Sequence, residues 1–163
     1  MSIQLKGSDD SVYSNDIIAP NLPTQGQIVG YQQGVWTATV NLGAAEPTNN
    51  VWWRIGNTVT VQTQLSNFNN STGSIIQVTG TPYANSAEAL GAAMSNKFNN
   101  PINASYLAPT NAITFFKSAA DKNNVWAQLA YIDRLNASSA VWFSLSYLTD
   151  DTTWTPINGA TVS

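Results

Sequence analysis

The chain has 163 residues, enough for one domain with a sizeable core. Only 9% of them are charged, with a net charge of −3, and Asn, Ser, Thr and Gln fill the places that charged residues usually take. The four Lys and two Arg are spread along the chain, which excludes the clustered cations that nucleic-acid binding requires, and the absence of His and Cys excludes Ser-His-Asp and Cys-His catalysis, thiolate or histidine metal sites and a disulfide framework.

No apolar stretch approaches the ~18 residues of a membrane-spanning helix. The opening Met1-Ser2-Ile3-Gln4-Leu5-Lys6 lacks the basic-then-apolar order of a secretory signal. Residues 1–33 read as an extended arm. Gly7 to Ser11 is turn-rich, and Pro20 and Pro23 punctuate the apolar Ile17-Ile18-Ala19, so neither a helix nor a central strand fits. Five apolar side chains, Ile3, Leu5, Val12, Ile17 and Ile18, are many for a solvated tail. The arm reads either as a frayed terminus or, as these side chains favour, as a docking segment that orders on a partner.

Gly34 to Leu42 is the first strand, with Trp36, Ala38, Val40 and Leu42 alternating against Val35, Thr37 and Thr39. A loop with Pro47 leads to Trp52-Trp53-Arg54-Ile55-Gly56-Asn57, after which Val59, Val61, Thr63 and Leu65 face one way and Thr60, Gln62 and Gln64 the other. Gly56-Asn57 is a hairpin turn. A two-residue turn pairs Trp52 with Val61 and a three-residue turn pairs Trp53 with Val61. The latter is favoured because it groups Trp53, Ile55, Val59 and Val61, and it makes Trp53 the buried Trp. Ser74 to Thr79 is a strand, and Gly80-Thr81-Pro82 ends it. Residues 84–100 are open: Ala87 to Met94 has helix-forming composition, yet also suits a strand of small residues crossing a crowded interface. Ala104–Ala108, Asn111–Lys117, Val125–Tyr131 and Ala140–Leu148 follow as strands. In the last, Val141, Phe143, Leu145 and Tyr147 oppose Trp142, Ser144 and Ser146. Seven to nine short strands with frequent turns predict an all-β fold, an antiparallel, jelly-roll-like β-sandwich over 34–150 with a C-terminal tail at 151–163.

The order Gly34-x-Trp36-Thr37, then Trp53-Arg54-Ile55-Gly56-Asn57-Thr58-Val59-Thr60-Val61, Thr79-Gly80-x-Pro82-Tyr83, Ile113-Thr114-Phe115-Phe116-Lys117 and Phe143 to Thr149 resembles the C-terminal β-sandwich module of tailed-phage fibre and virion-surface proteins. The resemblance covers roughly residues 34–150. It implies a non-enzymatic, trimeric structural protein of the virion, made in the host cytoplasm, and an arm that joins other virion proteins. Such modules usually follow a long shaft. Here 33 residues precede it, so the expectation is a short appendage, a head fibre or decoration protein, or a tail-fibre component. The alternative class is a carbohydrate-binding module or lectin.

Site chemistry is sparse. Asp150 and Asp151 are adjacent and point apart in an extended chain, so they cannot share a glycosidase site. Asp9, Asp10 and Asp16 match no calcium loop. No catalytic residue, metal site or cofactor is expected. Loops rich in amides and hydroxyls read either as plain solvated turns or as contacts for a host-surface glycan, the candidates being Asn69 and Asn70, then Lys122, Asn123 and Asn124, then Asn136. Trp154 stands outside the predicted sandwich and is the candidate exposed aromatic. Trp36, Trp53, Trp126 and Trp142 fall on predicted strands, where packing is the default and sugar stacking is the role of any that prove exposed.

Overall fold

The computed structural model describes residues 30–43, 45–69, 72–117 and 127–163. The arm residues Ile3, Leu5, Val12, Ile17 and Ile18 lie outside them, as do Asn70, Lys122, Asn123, Asn124 and Trp126. Tyr31–Ser163 is all-β and antiparallel, with eleven strands among the described residues. β1 (Tyr31–Val35), β3 (Glu46–Ile55), β4 (Thr58–Ser66), β10 (Ala140–Leu148) and β11 (Thr161–Val162) pair in the order β11-β1-β3-β4-β10. β6 (Ala89–Asn96) continues that sheet and joins it to β7 (Ile102–Leu107), β8 (Ile113–Lys117), β5 (Val78–Thr79) and β2 (Thr39–Val40). β9 (Ala127–Gln128) pairs with β8.

The period-two runs build the core. Val59, Val61 and Leu65 of β4 and Val141, Phe143, Leu145 and Tyr147 of β10 all turn inward. They meet Leu107, Ile113 and Phe115 of the second sheet in one cluster. The Phe115 and Phe143 rings meet edge-on across the layers at 5.2 Å, and Trp36 meets Phe143 at 6.5 Å. Such pairs add about 0.5–1.5 kcal/mol each beyond the area they bury. The Trp36 indole N–H donates to the Gln62 carbonyl at 3.1 Å, so its polar edge is satisfied inside.

Several local expectations change: the strand expected over Ser74–Thr79 shortens to β5, and Tyr31–Gln33, expected in the arm, belong to β1. The hairpin uses the two-residue turn: Ile55 pairs with Thr58 and Trp52 with Val61. Trp52 is therefore the buried Trp, and Trp53 lies half-buried on the outer face. The reason is Gly56, whose φ of 57° at the first loop position, followed by an Asn57 outside the positive-φ set, gives the turn whose twist matches the flanking strands. This register turns Arg54 inward, which apolar patterning argues against and an ion pair permits. The stretch predicted as one strand from Gly34 divides into β1 and β2, because the chain crosses from one sheet to the other at 36–38. The Pro47 loop instead opens β3, with a bulge between Thr48 and Val51 that absorbs it. Last, the segment set apart as a tail returns: Thr161 pairs with Val35 and Val162 with Gly34.

Within residues 84–100 the open stretch is a strand, β6, over Ala89–Asn96. β6 serves both sheets, pairing Ala89–Gly91 with β7 and Ala92–Asn96 with β10. Strands that change sheets form the corner of a sandwich. Gly91 stands at that corner. A Cβ there would lie 2.4 Å from the Ser144 carbonyl oxygen and 2.8 Å from the Leu145 Cα, so the small residues that suggested a helix are what close packing against β10 demands.

Candidate functional site

Two ion pairs among the described residues tie the sandwich together. Arg54 is 1% exposed. Its Nη1 donates to Asp151 Oδ2 at 2.7 Å, its Nη2 to the Asp151 carbonyl and its Nε to the Gly56 carbonyl at 2.7 Å. The guanidinium carbon lies 4.5 Å from the Tyr83 ring centroid and 4.0 Å from that of Trp154. The Thr153 hydroxyl, and then Arg54 and the Trp154 backbone N–H, hold the Asp151 carboxyl down at about 2, against the partial burial that acts the other way. Burial raises the Tyr83 phenol, which donates to Gln32 Oε1 at 2.6 Å, and Gln32 Nε2 donates to the Trp154 carbonyl at 3.0 Å. This clasp fixes residues 151–154 over the β3 end. Trp154, expected as an exposed aromatic, is instead a half-buried lid on Arg54.

A second ion pair joins Lys117 to Asp133, whose other oxygen accepts the Ala130 N–H at 2.8 Å. Glu46 Oε2 accepts from Asn67 Nδ2 at 2.6 Å. Among the described residues no group of three or more Asp and Glu gathers as for a metal ion.

The predicted contact loops do not form one surface with Trp154. Asn69 is exposed and donates to the Gly43 carbonyl at 3.4 Å. Asn136 is exposed, but its Oδ1 is engaged by the Ser138 N–H at 3.0 Å and the Ser138 hydroxyl at 2.7 Å, which makes it a turn former. These two share one end of the sandwich, where Phe68 packs on Phe98 and Phe98 bridges Arg134. Trp154 lies with Arg54 beside the Gly56-Asn57 turn.

The unassigned surface is the outer face of the first sheet. Four cross-strand rows cover it: Tyr31–Ile55–Thr58–Leu148, Gln33–Trp53–Thr60–Ser146, Val35–Val51–Gln62–Ser144–Ala92 and Thr48–Gln64–Trp142–Met94. None of these residues is charged. Glu46, across from Ser66, lies beyond the last row. Solvated sheet faces are ordinarily polar and rich in charge. Here Tyr31, Val35, Val51 and Ile55 are between 41% and 58% exposed.

At one end of this face the side chains make a groove of about 380 Å³. Its shape follows from residue size. Ser144 and Ala92 are neighbours in one row and form a low floor; Trp142 and Met94, neighbours in the next, rise beside it. Gln62 and Gln64 stand across from Ser144 and Trp142 on β4. Asn49 Nδ2 donates to Gln64 Oε1 at 3.3 Å and closes the rim. The alternation of β4 and β10 already placed these residues on one face; their pairing across strands, which makes the groove, was not visible in either strand alone. Another depression, about 510 Å³, has Thr37, Thr39, Thr79 and Thr110 around it. It has no aromatic wall, and Asn158 and Asn111 beside it are held by Thr81 and Asn85.

No family model, curated protein or solved structure matches the chain.

Proposed function

We propose that this chain is a non-enzymatic structural module of a tailed-phage virion, a surface appendage that works as a homotrimer and joins other virion proteins through the arm bearing Ile3, Leu5, Val12, Ile17 and Ile18. The reading rests on the motif resemblance for the virion and the trimer, and on the outer sheet face for self-association. In a homo-oligomer each charge near the symmetry axis meets its own copy, so a face without charge is self-compatible, and interface cores are poor in charge and rich in aromatics. The β-branched and aromatic side chains of Tyr31, Val35, Val51, Trp53 and Ile55 fit that description. The single structural observation that supports self-association is this uncharged face. Edge strands do not carry it, because the ends of the strand order, β11 and β2, are two residues each and offer little ladder to a partner. The lack of His and Cys supports a role without catalysis.

Light scattering at micromolar concentration is expected to give a mass near three times the 17.5 kDa of the chain. Val51→Lys and Ile55→Lys, each on the exposed face, are expected to lower it while the thermal midpoint of the sandwich changes little. A wild-type mass of 17.5 kDa would sink the proposal.

A further inference from the structure

The geometry points to the groove over Trp142 as a binding site for a neutral glycan. Two buried Trp side chains of the sandwich use their indole N–H internally: Trp36 donates to the Gln62 carbonyl and Trp52 to the Thr161 carbonyl. Trp142 differs. It is half-buried, stands on the outer face, and its N–H meets no acceptor among the described residues. The same holds for the Gln62 carboxamide and the Ser144 hydroxyl, which open into the same groove. Gln64 has its oxygen engaged by Asn49, which leaves its amide N–H groups to the groove.

This combination selects a chemistry. An indole face beside a thioether, with Met94 63% exposed, suits the apolar C–H face of a pyranose. Carboxamides, a hydroxyl and an indole N–H at the rim suit its hydroxyl groups, and neutral groups lose less on desolvation than charged ones. An anionic or cationic ligand would find no counter-charge in any of the four rows. The volume lies within the range of small-molecule sites. The groove is open on one side, so each site is expected to be weak, with a dissociation constant on the order of 0.1–1 mM, strengthened where several copies act together. The residues offered for self-association, Tyr31, Val35, Val51, Trp53 and Ile55, lie on β1 and β3, whereas the groove is built mainly on β4, β10 and β6, which lets both surfaces work in one assembly.

The test uses the full chain and a panel of neutral hexasaccharides of glucose, galactose, mannose or N-acetylglucosamine, with a uronic-acid hexasaccharide as the charged comparison. Binding is followed by calorimetry and tryptophan fluorescence. At least one neutral member is expected to bind, and the uronic-acid member not to. Trp142→Ala is expected to weaken binding at least tenfold. Ser144→Leu, which raises the floor and keeps the indole, is expected to do the same, with both variants retaining the wild-type thermal midpoint within a few degrees. No binding of any neutral member at 10 mM sugar, or binding that survives both variants, would overturn the assignment. So would a change of mass in Trp142→Ala, since a second copy would then be what covers the groove. Mass and sugar binding are read separately: a monomer that binds sugar refutes the trimer alone, and a trimer that does not refutes the glycan site alone.

Discussion

Asp151→Asn tests the clasp that binds the C-terminal segment to the hairpin. The change keeps size and removes only the charge that faces Arg54. Two estimates bound its effect. The fall of the Asp151 pKa from 3.8 to about 2 corresponds to ~2 kcal/mol, and solvent at a side chain that is 22% exposed screens this to about 1 kcal/mol. The guanidinium, in contrast, is 1% exposed, and stripping a buried charge of its partner costs about 3–5 kcal/mol. The Asp151 and Gly56 carbonyls still accept from it, so the expected loss is about 2 kcal/mol, or roughly 4–8 °C in Tm for a domain of this size. The sign in pH follows from a depressed folded-state pKa. The contribution is complete above about pH 4, where the unfolded carboxyl is ionised, and fades as pH falls toward 2. Chemical denaturation of wild type and variant at pH 7, 4 and 2.5 checks this. Equal stabilities at pH 7, or a gap that stays constant down to pH 2.5, would refute the reasoning.

Gly91→Ala drives a methyl to within 2.4 Å of the Ser144 carbonyl and 2.8 Å of the Leu145 Cα, so it is expected to cost roughly 1–3 kcal/mol by overpacking and to weaken β6–β10 pairing, seen as faster amide exchange in Ala92–Asn96. Trp52→Ala is expected to destabilise by about 3–5 kcal/mol, since it removes a buried ring, its edge contact with Tyr83 at 5.6 Å and the hydrogen bond to Thr161. Trp53→Ala, on the outer face, is expected to cost about 1 kcal/mol or less in the monomer and to act on the oligomer mass instead; the reverse order in urea titrations would contradict the register.

Much of the sandwich was legible because two strands carry nearly pure alternation. Val59 to Leu65 and Val141 to Tyr147 announce their inner faces without help, and both lie beside each other in the middle of the first sheet. The hairpin register was not legible, because the correct pairing buries Arg54, and the partner that makes this tolerable, Asp151, stands far along the chain. The same separation hid the role of Trp154. A tail with a Pro and an Asn-Gly turn looks detached until Gln32, Arg54 and Thr81 are seen to hold it. For residues 84–100 the composition is ambiguous, since Ala and Gly suit a helix by propensity and a crowded strand by size; only the distance to Ser144 decides. The groove over Trp142 was half legible. Alternation places Trp142 and Ser144 on the face opposite the core, but a concavity is made by heights on neighbouring strands, and one strand cannot show it.

The place of β10 has a consequence for how the molecule is made. The strand sits between β4 and β6 in the sheet, yet comes after both of them in the chain. The hairpins β3–β4, β6–β7 and β7–β8 close between near neighbours in sequence, which favours their early formation, whereas β10 is made after both of its neighbours and must enter between them. Until Ala140–Leu148 has left the ribosome, β4 and β6 both present long unpaired edges. Those edges carry Thr, Gln, Ala and Met rather than Lys, so nothing repels a neighbouring nascent chain. Synthesis on crowded polysomes, and refolding at high concentration, are the stages at which this protein is most exposed to pairing with the wrong copy of itself.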